Sequence, residues 1–278
     1  MIMLWQFIVA LLIAPAVHGV MKQIRARLSR RPGPPIVQPY RDMRKLWGKE
    51  ALAPSDASVL FTLAPAVLLG ISATVLWLVP TVFATNRAPI DIISIALMLA
   101  LGRFLLVLAA LDSRSAFTAM AATREITFAA LTEAPMILAL VSASLAHPTP
   151  LAETLAAGAL ILVMLAETAR IPIDNQETHY ELTMIHEGLL LEYSGWQLAL
   201  VQLSAYVRQL AFFILIASLL PGDGIVKIAW ILGLVVTIPV VERILPKLRL
   251  FEVPGLFTTA TLLAFAAIGL RIVGVIAW

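Results

Sequence analysis

The sequence of 278 residues contains no cysteine and few charged residues. The absence of cysteine excludes disulfide bonds and iron–sulfur clusters held by thiolates of this chain. Charged residues make up 13% of the chain, about half of their usual share in soluble domains, whereas 60% of the residues are hydrophobic. With a mean hydropathy of +0.93, the composition predicts an all-α polytopic membrane protein rather than a soluble domain.

Several patterns typical of enzymes and nucleic-acid-binding proteins are also missing. No Gly-rich phosphate loop and no nucleophile beside an adjacent base stands out, so we expect no self-contained catalytic site. His179 and His186 are separated by more than the three to five residues typical of zinc sites, and H-E-x-x-H is absent, so we predict no metal site. The isoelectric point near 9.4 does not indicate nucleic acid, because the basic residues lie beside hydrophobic stretches.

Eight hydrophobic stretches predict eight transmembrane helices in a single membrane domain. We place the spans near residues 5–20, 58–79, 92–111, 121–146, 155–166, 197–220, 225–245 and 256–278. Nine of the 20 basic residues lie between residues 22 and 49, so the positive-inside rule places that connection in the cytoplasm and both termini outside. The loops 22–57 and 171–196 are then cytoplasmic, and residues 38–50 are expected to form a short amphipathic helix along the membrane surface.

The connection after the fifth span concentrates carboxylates. Six of the 17 acidic residues and two of the four histidines lie within residues 167–192. Ionisable groups at the edge of hydrocarbon are costly and commonly mark ion or proton routes. Asp174 and Glu177 have the spacing of a helix capping box, and apolar residues at helical spacing over 182–189 predict a short amphipathic helix after them. Glu187 is expected on its solvated face.

Further charges lie inside the predicted spans. Glu125 and Glu133 lie about 80° apart around the fourth span, and Glu167 ends the fifth. An isolated charge at that depth costs about 2.5–3.5 kcal/mol or more, so each needs a partner or a function. Neighbouring carboxylates raise one another's pKa, which suits groups that exchange protons near neutral pH. The alternative is a set of buried structural ion pairs with Arg103, Arg124, Arg170 and Arg208.

Two long motifs resemble the complex I subunit 1 family. One is A-E-T-A-R-I-P-I-D at 166–174, followed by Glu177, Glu181-Leu182 and E-Y-S-G at 192–195. The other is R-R-P-G-P at 30–34, followed by Gln38-Pro39, Asp42, Lys45-Leu46 and Lys49-Glu50. The run T-H-Y-E-L-T-M-I-H-E at 178–187 is similar to the membrane-bound nickel–iron hydrogenase branch, as in formate hydrogenlyase and hydrogenase-4 complexes. So is R-E…E-A-P at 124–135.

The resemblance implies a membrane-anchor and energy-coupling subunit that holds no cofactor itself. Its partners would be hydrogenase-type large and small subunits and a ferredoxin-like subunit, which carry iron–sulfur clusters and a nickel–iron site. On its other side it would contact antiporter-like membrane subunits that move protons or sodium. The expected location is the cytoplasmic membrane of a bacterium or archaeon, with the hydrophilic arm on the cytoplasmic side and no nucleic-acid partner.

The buried charges and the resemblance together assign candidate residues. The expected proton path comprises Glu125, Glu133, Glu167, Glu177, Glu181 and Glu192. Supporting charges are Asp174, Arg124, Arg170, Arg208, His179 and His186. The docking surface for the hydrophilic arm comprises Arg30, Arg31, Gln38, Asp42, Lys45, Lys49 and Glu50.

Two alternatives stay open on the sequence. The first is a subunit of a quinone-reducing NADH dehydrogenase of the complex I type, with a quinone cavity beneath the soluble arm. His179, which stands where the family carries a carboxylate, and the 183–187 run favour the hydrogenase branch over it. The second is a stand-alone cation or proton transporter, which is disfavoured because no inverted repeat is visible.

Overall fold

The computed structural model describes residues 2–79, 89–145, 149–174 and 184–276, and within them the chain is helical without any strand. The helices are α1 (Ile2–Leu28), α2 (Gln38–Trp47), α3 (Val59–Leu78), α4 (Pro89–Asp112), α5 (Ala116–Ser144), α6 (Pro150–Glu167), α7 (Gly195–Leu219), α8 (Ile225–Ile244) and α9 (Val253–Ile276), with a short 3₁₀ helix at Glu187–Leu190. All of the α-helices except α2 are long and apolar enough to cross a membrane. The predicted all-α protein with eight spans is confirmed.

Some predicted span boundaries are too short. The predicted first span ends at residue 20, but α1 continues to Leu28, and Arg25 and Arg27 in its last turn suit the negative end of the helix dipole. The predicted fourth span begins at residue 121, but α5 starts at Ala116. The predicted fifth span begins at residue 155, but α6 starts at Pro150, where the Thr149 side chain accepts a hydrogen bond from the amide of Ala152.

Helix α7 forms the centre of the bundle. It packs against α1, α2, α3, α6 and α8, while α9 covers α5 and α6. The most apolar part of α7 is 78% buried inside the protein, compared with 28% for that of α9. A helix that is apolar on all sides is suited to such a central position. Its buried polar residues, among them Arg208 and Gln209, therefore face other helices rather than lipid.

The segments that precede α3 and α7 meet at the end of the bundle where α1 and α8 finish, which we call the basic end. There the Ser194 hydroxyl accepts a hydrogen bond from the amide of Leu52 (2.8 Å) and lies 3.3 Å from its carbonyl oxygen. The Tyr193 ring stacks on Phe61 with centroids 4.3 Å apart, and its hydroxyl donates to the carbonyl of Phe61. Most of the E-Y-S-G motif thus holds the 48–57 segment against α3 and α7.

Replacing Gly195 by Ala is expected to destabilise this junction. Gly195 has φ +52°, and an added Cβ would lie 2.6 Å from the carbonyl oxygen of Glu50 and 2.7 Å from that of Lys49. The left-handed conformation alone costs an L-residue about 1–2 kcal/mol. We expect a lower melting temperature in the purified protein, whereas Gly233→Ala, at a helical position with open space around it, should leave it within about 1 °C. Equal melting temperatures for both variants would contradict this role.

Candidate functional site

A buried arginine of α4 connects three spans. Arg103 forms an ion pair with Glu167 at the end of α6. Its Nη1 donates to the Thr132 hydroxyl of α5 (2.7 Å), and its Nε lies 3.9 Å from Glu125. Arg103 is 5% exposed and Glu167 4%. Because the arginine stands between two carboxylates on different helices, a proton gained by one changes the charge balance of the whole cluster.

A second buried pair lies beside the first. Arg208 of α7 has its Nη2 3.5 Å from Nε2 of His186, and both residues are buried. Burial, with Arg208 and Arg103 nearby, lowers the pKa of His186 to about 3. His186 is therefore a neutral imidazole at neutral pH, which differs from the supporting charge predicted from the sequence. A neutral imidazole can accept a proton on one nitrogen and donate one from the other.

The loop that carries His186 is held by Asp174. One carboxylate oxygen of Asp174 accepts hydrogen bonds from the amides of Ile185 (3.3 Å) and His186 (3.1 Å), and the other pairs with Lys247 (2.9 Å). Asp174 therefore holds Ile185 and His186 close to the end of α6 and connects them to Lys247. The predicted helix over 182–189 is wrong for its described part: residues 184–186 are not helical, and the only helical turn described there is the 3₁₀ helix at Glu187–Leu190.

Two cavities adjoin these pairs. The larger, of about 240 Å³, lies between α1, α7, α8 and residues 168–170 and 186–190, and its lining includes Lys22, Arg25, Arg170, Glu187 and Glu242. The smaller, of about 10 Å³, is close to the volume that one water molecule needs, and it is lined by Arg103, Glu125, Asp174 and His186 among others. The larger cavity is also lined by His186 and Arg208. His186 therefore separates the larger cavity from the Arg103 cluster.

The larger cavity contains an ion pair that the sequence interpretation missed. Arg170 donates to Glu242 of α8 (2.7 Å), and Arg25 of α1 lies 3.8 Å from the other carboxylate oxygen. Arg170 also approaches Nδ1 of His18 (3.5 Å), which lies 3.3 Å from the side-chain oxygen of Gln209. Glu242 is 5% exposed. The signal that could have found it is a lone carboxylate inside the predicted span 225–245, as costly there as Glu133 or Glu167.

Glu187 faces the larger cavity rather than open solvent. It is half-buried, so the solvated position predicted from the sequence is wrong. Burial, and then the nearby Asp174, raise the pKa of Glu187 to about 7, while Lys22 opposes the shift. At neutral pH this carboxyl group is divided between its protonated and ionised forms. Sequence reasoning passed over it because a carboxylate after a histidine in a helical pattern is typical of an exposed helix face.

The shift at Glu187 predicts how stability depends on pH. The pKa of Glu187 rises from 4.5 unfolded to about 7 folded, so its contribution is fully present below pH 4.5 and is lost as pH rises through 7. The melting temperature of Glu187→Gln, relative to the unmodified protein, should therefore rise between pH 5 and pH 8. Asp56→Asn, at an exposed carboxylate, should show no such trend. A flat difference for Glu187→Gln would contradict the buried position.

The other predicted site residues are distributed as follows. Glu133 is half-buried on α5 and close enough to Arg103 to act on it electrostatically, yet it forms no ion pair within the described residues. Arg124 donates to the carbonyl of Met184 (3.0 Å), so it holds the loop, and no ion pair joins it to a carboxylate of the described residues. Glu192 is half-buried beside Tyr193 and is not brought to the Arg103 cluster by any described ion pair.

Three of the predicted site residues lie outside the described residues. These are Glu177, His179 and Glu181. Their roles stay predictions, as does the capping box of Asp174 and Glu177. Within the described ranges, no three His, Asp or Glu side chains come together in a way that could hold a metal ion.

The predicted docking residues lie along α2 and the segments that flank it. Arg30, Arg31, Lys45, Lys49 and Glu50 are exposed, while Gln38 and Asp42 are half-buried. Gln38 donates to the carboxylate of Asp42 (2.8 Å), one turn along α2. The exposed members leave a surface of mixed but mainly positive charge at the basic end. Their role in docking stays a prediction.

Known proteins similar to this chain are membrane subunits. The sequence pattern of the family described as NADH dehydrogenase matches residues 1–273. The chain is 35% identical over 234 residues to hydrogenase-4 component C of Escherichia coli (strain K12), covering 77% of this chain and 73% of that protein. It is 32% identical over 224 residues to formate hydrogenlyase subunit 4 of the same strain, covering 74% and 72%.

A more distant relative and a solved structure agree with these matches. The chain is 26% identical over 214 residues to NADH-quinone oxidoreductase subunit 8 of Rhodothermus marinus, covering 69% of this chain and 62% of that protein. A chain of the membrane-bound sulfane sulfur reductase, an archaeal respiratory membrane complex, superposes with a TM-score of 0.84 over 97% of this chain and 98% of its own length. At 19% identity that likeness concerns the fold alone. The resemblance inferred from the two motifs is confirmed, and the chain belongs to the NADH dehydrogenase family.

Proposed function

We propose that this chain is the membrane-anchor and energy-coupling subunit of a membrane-bound hydrogenase complex of the formate hydrogenlyase or hydrogenase-4 kind. Identity is higher with the two hydrogenase-type relatives (35% and 32%) than with the NADH-quinone relative (26%), which supports this branch. The observation that carries the coupling role is the run of buried charges from the larger cavity to Arg103 and Glu167. Charges at this depth are costly and therefore point to a function.

The proposed proton route starts in the larger cavity. Glu187, with its pKa near 7, accepts or releases a proton there, because both of its forms are populated at neutral pH. His186 lines both cavities; a proton that passes through it would enter at Nε2, once the contact with Arg208 at 3.5 Å opens, and another would leave from Nδ1. Glu125 and Glu167, on either side of Arg103, are the next carboxylates that could take it.

The coupling step rests on electrostatics rather than on chemistry in this chain. A change of charge in the redox arm above the larger cavity would alter the field at Arg170 and Glu242, whose separation is 2.7 Å. Buried charges interact strongly because little solvent screens them. A proton moved along the route then changes the charge that the membrane partners experience. Glu133, half-buried on α5 and beyond the Arg103 cluster, is the carboxylate that would continue the route toward them.

The partners follow from this role. Hydrogenase-type large and small subunits and a ferredoxin-like subunit would sit on the basic end, with iron–sulfur clusters and a nickel–iron site in those partners. Antiporter-like membrane subunits would carry protons or sodium. The exposed basic side chains on α2 and the flanking segments support a docking surface there, because partner surfaces of opposite charge are steered to such patches.

A quinone-reducing complex is the second candidate, and the larger cavity is the observation in its favour. At about 240 Å³ it is slightly smaller than most ligand pockets, and His18 and Tyr206 could donate hydrogen bonds to a carbonyl oxygen. Its lining also contains Lys22, Arg25 and Arg170, whereas pockets for apolar rings are mainly hydrophobic. The charged lining therefore favours proton handling over quinone binding.

Purification of the intact complex through a tag on this chain tests the proposal. The expected result is a hydrogenase-type large subunit with bound nickel, hydrogen evolution from reduced methyl viologen, and no stoichiometric quinone after solvent extraction. One bound quinone per complex, with quinone reduction that is lost on changes in the 171–192 segment, would support the second candidate instead. A chain purified without redox partners that moves cations in liposomes would contradict both.

A further inference from the structure

A third pocket, wider than the two cavities described above, opens at the basic end, between the last turns of α1 and α8. Its volume is about 540 Å³, and it shares Arg25 and Glu242 with the larger cavity of the proton route. The pocket is lined by Arg25, Ser29 and Arg31 of α1 and the turn after it, and by residues 242–247 at the end of α8. Since α1 and α8 pack together, the pocket is a cleft between two membrane spans.

The charge of this pocket is mainly positive. Arg25, Arg31, Arg243 and Lys247 line it, and Glu242 is the carboxylate in its lining, while Lys247 is also paired with Asp174 at 2.9 Å. Glu242 is buried and already engaged by Arg170 at 2.7 Å, so it offers little compensation to the exposed side chains. Arg31 and Arg243 are exposed, and neither forms an ion pair with a carboxylate within the described residues. Several cations converging on one cleft indicate an anionic ligand with more than one charged oxygen.

The same pocket carries an apolar rim. Ile244 and Leu245 line it and are 72% and 43% exposed. Ile244 is the last residue of α8 and Leu245 follows it, at the point where a span meets the membrane surface. A ligand that satisfies both the cations and these aliphatic side chains is an amphiphile. We propose that this pocket binds the phosphate headgroup of an anionic phospholipid.

Lipid fits this position better than a segment of a partner protein does, so we assign Arg31 to the lipid pocket rather than to the docking surface on α2. Basic pockets between membrane spans on the side with the surplus of Lys and Arg are typical sites for the phosphates of cardiolipin-type lipids. An acidic peptide would need the cations, but it would leave the exposed Ile244 and Leu245 without a hydrophobic contact. A lipid places its phosphates at Arg31 and Arg243 and its acyl chains along the aliphatic rim, as the bilayer geometry requires.

The site also has a connection to the charged network. Arg25 lines both this pocket and the larger cavity of the proton route, and it lies 3.8 Å from Glu242. A phosphate that attracts Arg25 would loosen its contact with Glu242 and leave that carboxylate to Arg170. Lipid occupancy would therefore change the electrostatic surroundings of the cavity without occupying it.

Lipid content of the purified complex tests the proposal. The complex is extracted in mild detergent, delipidated, and incubated with cardiolipin, phosphatidylglycerol, phosphatidylcholine or inorganic phosphate. Retained lipid is counted by mass spectrometry, and melting temperature is measured in parallel. Arg31→Gln with Arg243→Gln is compared with Arg27→Gln with Arg249→Gln, which removes the same charge from α1 and the loop after α8 at exposed residues that do not line the pocket.

We expect anionic lipid to be retained and to raise the melting temperature in the unmodified and control complexes, and retention to fall at least fivefold in the pocket variant. Equal retention in both variants, or equal effects of phosphatidylcholine, would overturn the proposal. An effect of inorganic phosphate equal to that of cardiolipin would show a site for a free anion instead. Unchanged lipid with loss of the hydrophilic arm in the pocket variant would show a protein contact, and would also contradict the lipid assignment.

Discussion

Replacing Glu167 by Gln is expected to leave an assembled complex that still evolves hydrogen but whose ion translocation per turnover falls about tenfold or more. Glutamine keeps the size of the side chain and removes only its ability to ionise. Arg103 keeps its hydrogen bond to Thr132 (2.7 Å) and its position 3.9 Å from Glu125, so the fold around it is supported. Hydrogen release and the ion gradient are measured together in proteoliposomes.

Glu153 provides the matched control. It also faces a buried arginine in a span, with Arg271 3.9 Å away, but this pair lies at the opposite end of α6 from Glu167. Arg271 additionally donates to the carbonyl of Leu145 (2.8 Å), which gives that pair a structural role in the turn before α6. Glu153→Gln should keep coupling. Full coupling in Glu167→Gln, or an equal loss in both variants, would count against Glu167 as a proton carrier.

Breaking the pair between Arg170 and Glu242 is expected to destabilise the chain strongly. Glu242→Leu leaves Arg170 buried without its carboxylate, and removing one partner of a buried pair typically costs about 3–5 kcal/mol. The pair joins the loop after α6 to α8, and Arg25 adds α1. We expect little assembled complex in membranes, which is measured by blue native electrophoresis and by melting temperature.

The double variant Arg170→Met with Glu242→Leu distinguishes a lost pair from a lost side chain. Replacing both charges with apolar groups removes the unpaired charge, so stability should recover by a large part of the loss. Coupling activity should stay low, because the charges at the larger cavity are gone. If the double variant is destabilised by the sum of the losses in the two single variants, the two residues act independently. That result would contradict the ion pair at 2.7 Å.

The spans could be predicted because hydropathy over about 20 residues reflects the thickness of a bilayer directly. The ends of the spans could not be predicted, because charged residues in the last turn of a helix have the same composition as a loop. Arg25 and Arg27 are basic and yet helical in α1, since the helix dipole and the membrane surface both favour cations there. Pro150 opens α6 instead of belonging to a loop.

The sequence predicts which charged residues belong to the candidate site, but it does not predict which of them pair. Buried charges are visible as exceptions in apolar stretches, which identified Arg103, Glu125 and Glu167. Which carboxylate meets which arginine depends on how α4, α5 and α6 pack, and a single sequence does not encode that pairing locally. Glu242 was missed because it stands next to Arg243 near the end of a span, where a charged residue looks like an interface group.

The loop before α7 shows a different limit. Helical spacing of apolar residues predicted a helix through 182–189, but Asp174 accepts the amide protons of Ile185 and His186 and holds that stretch in another conformation. A long-range hydrogen bond of this kind overrides local periodicity. The same hydrogen bonds place His186 beside Arg208 and Glu187 at the larger cavity. The contact that prevents the predicted helix therefore also positions the first residues of the proposed proton route.

The central claim is that this chain couples redox turnover to ion movement. Its most direct test is the intact complex in sealed liposomes, driven by reduced methyl viologen, with hydrogen measured by gas chromatography and the gradient by pH- and sodium-sensitive dyes. We predict an ion gradient that builds in proportion to hydrogen released and that collapses with a protonophore or a sodium ionophore. Steady hydrogen release with neither a proton nor a sodium gradient in tightly sealed liposomes would contradict the account.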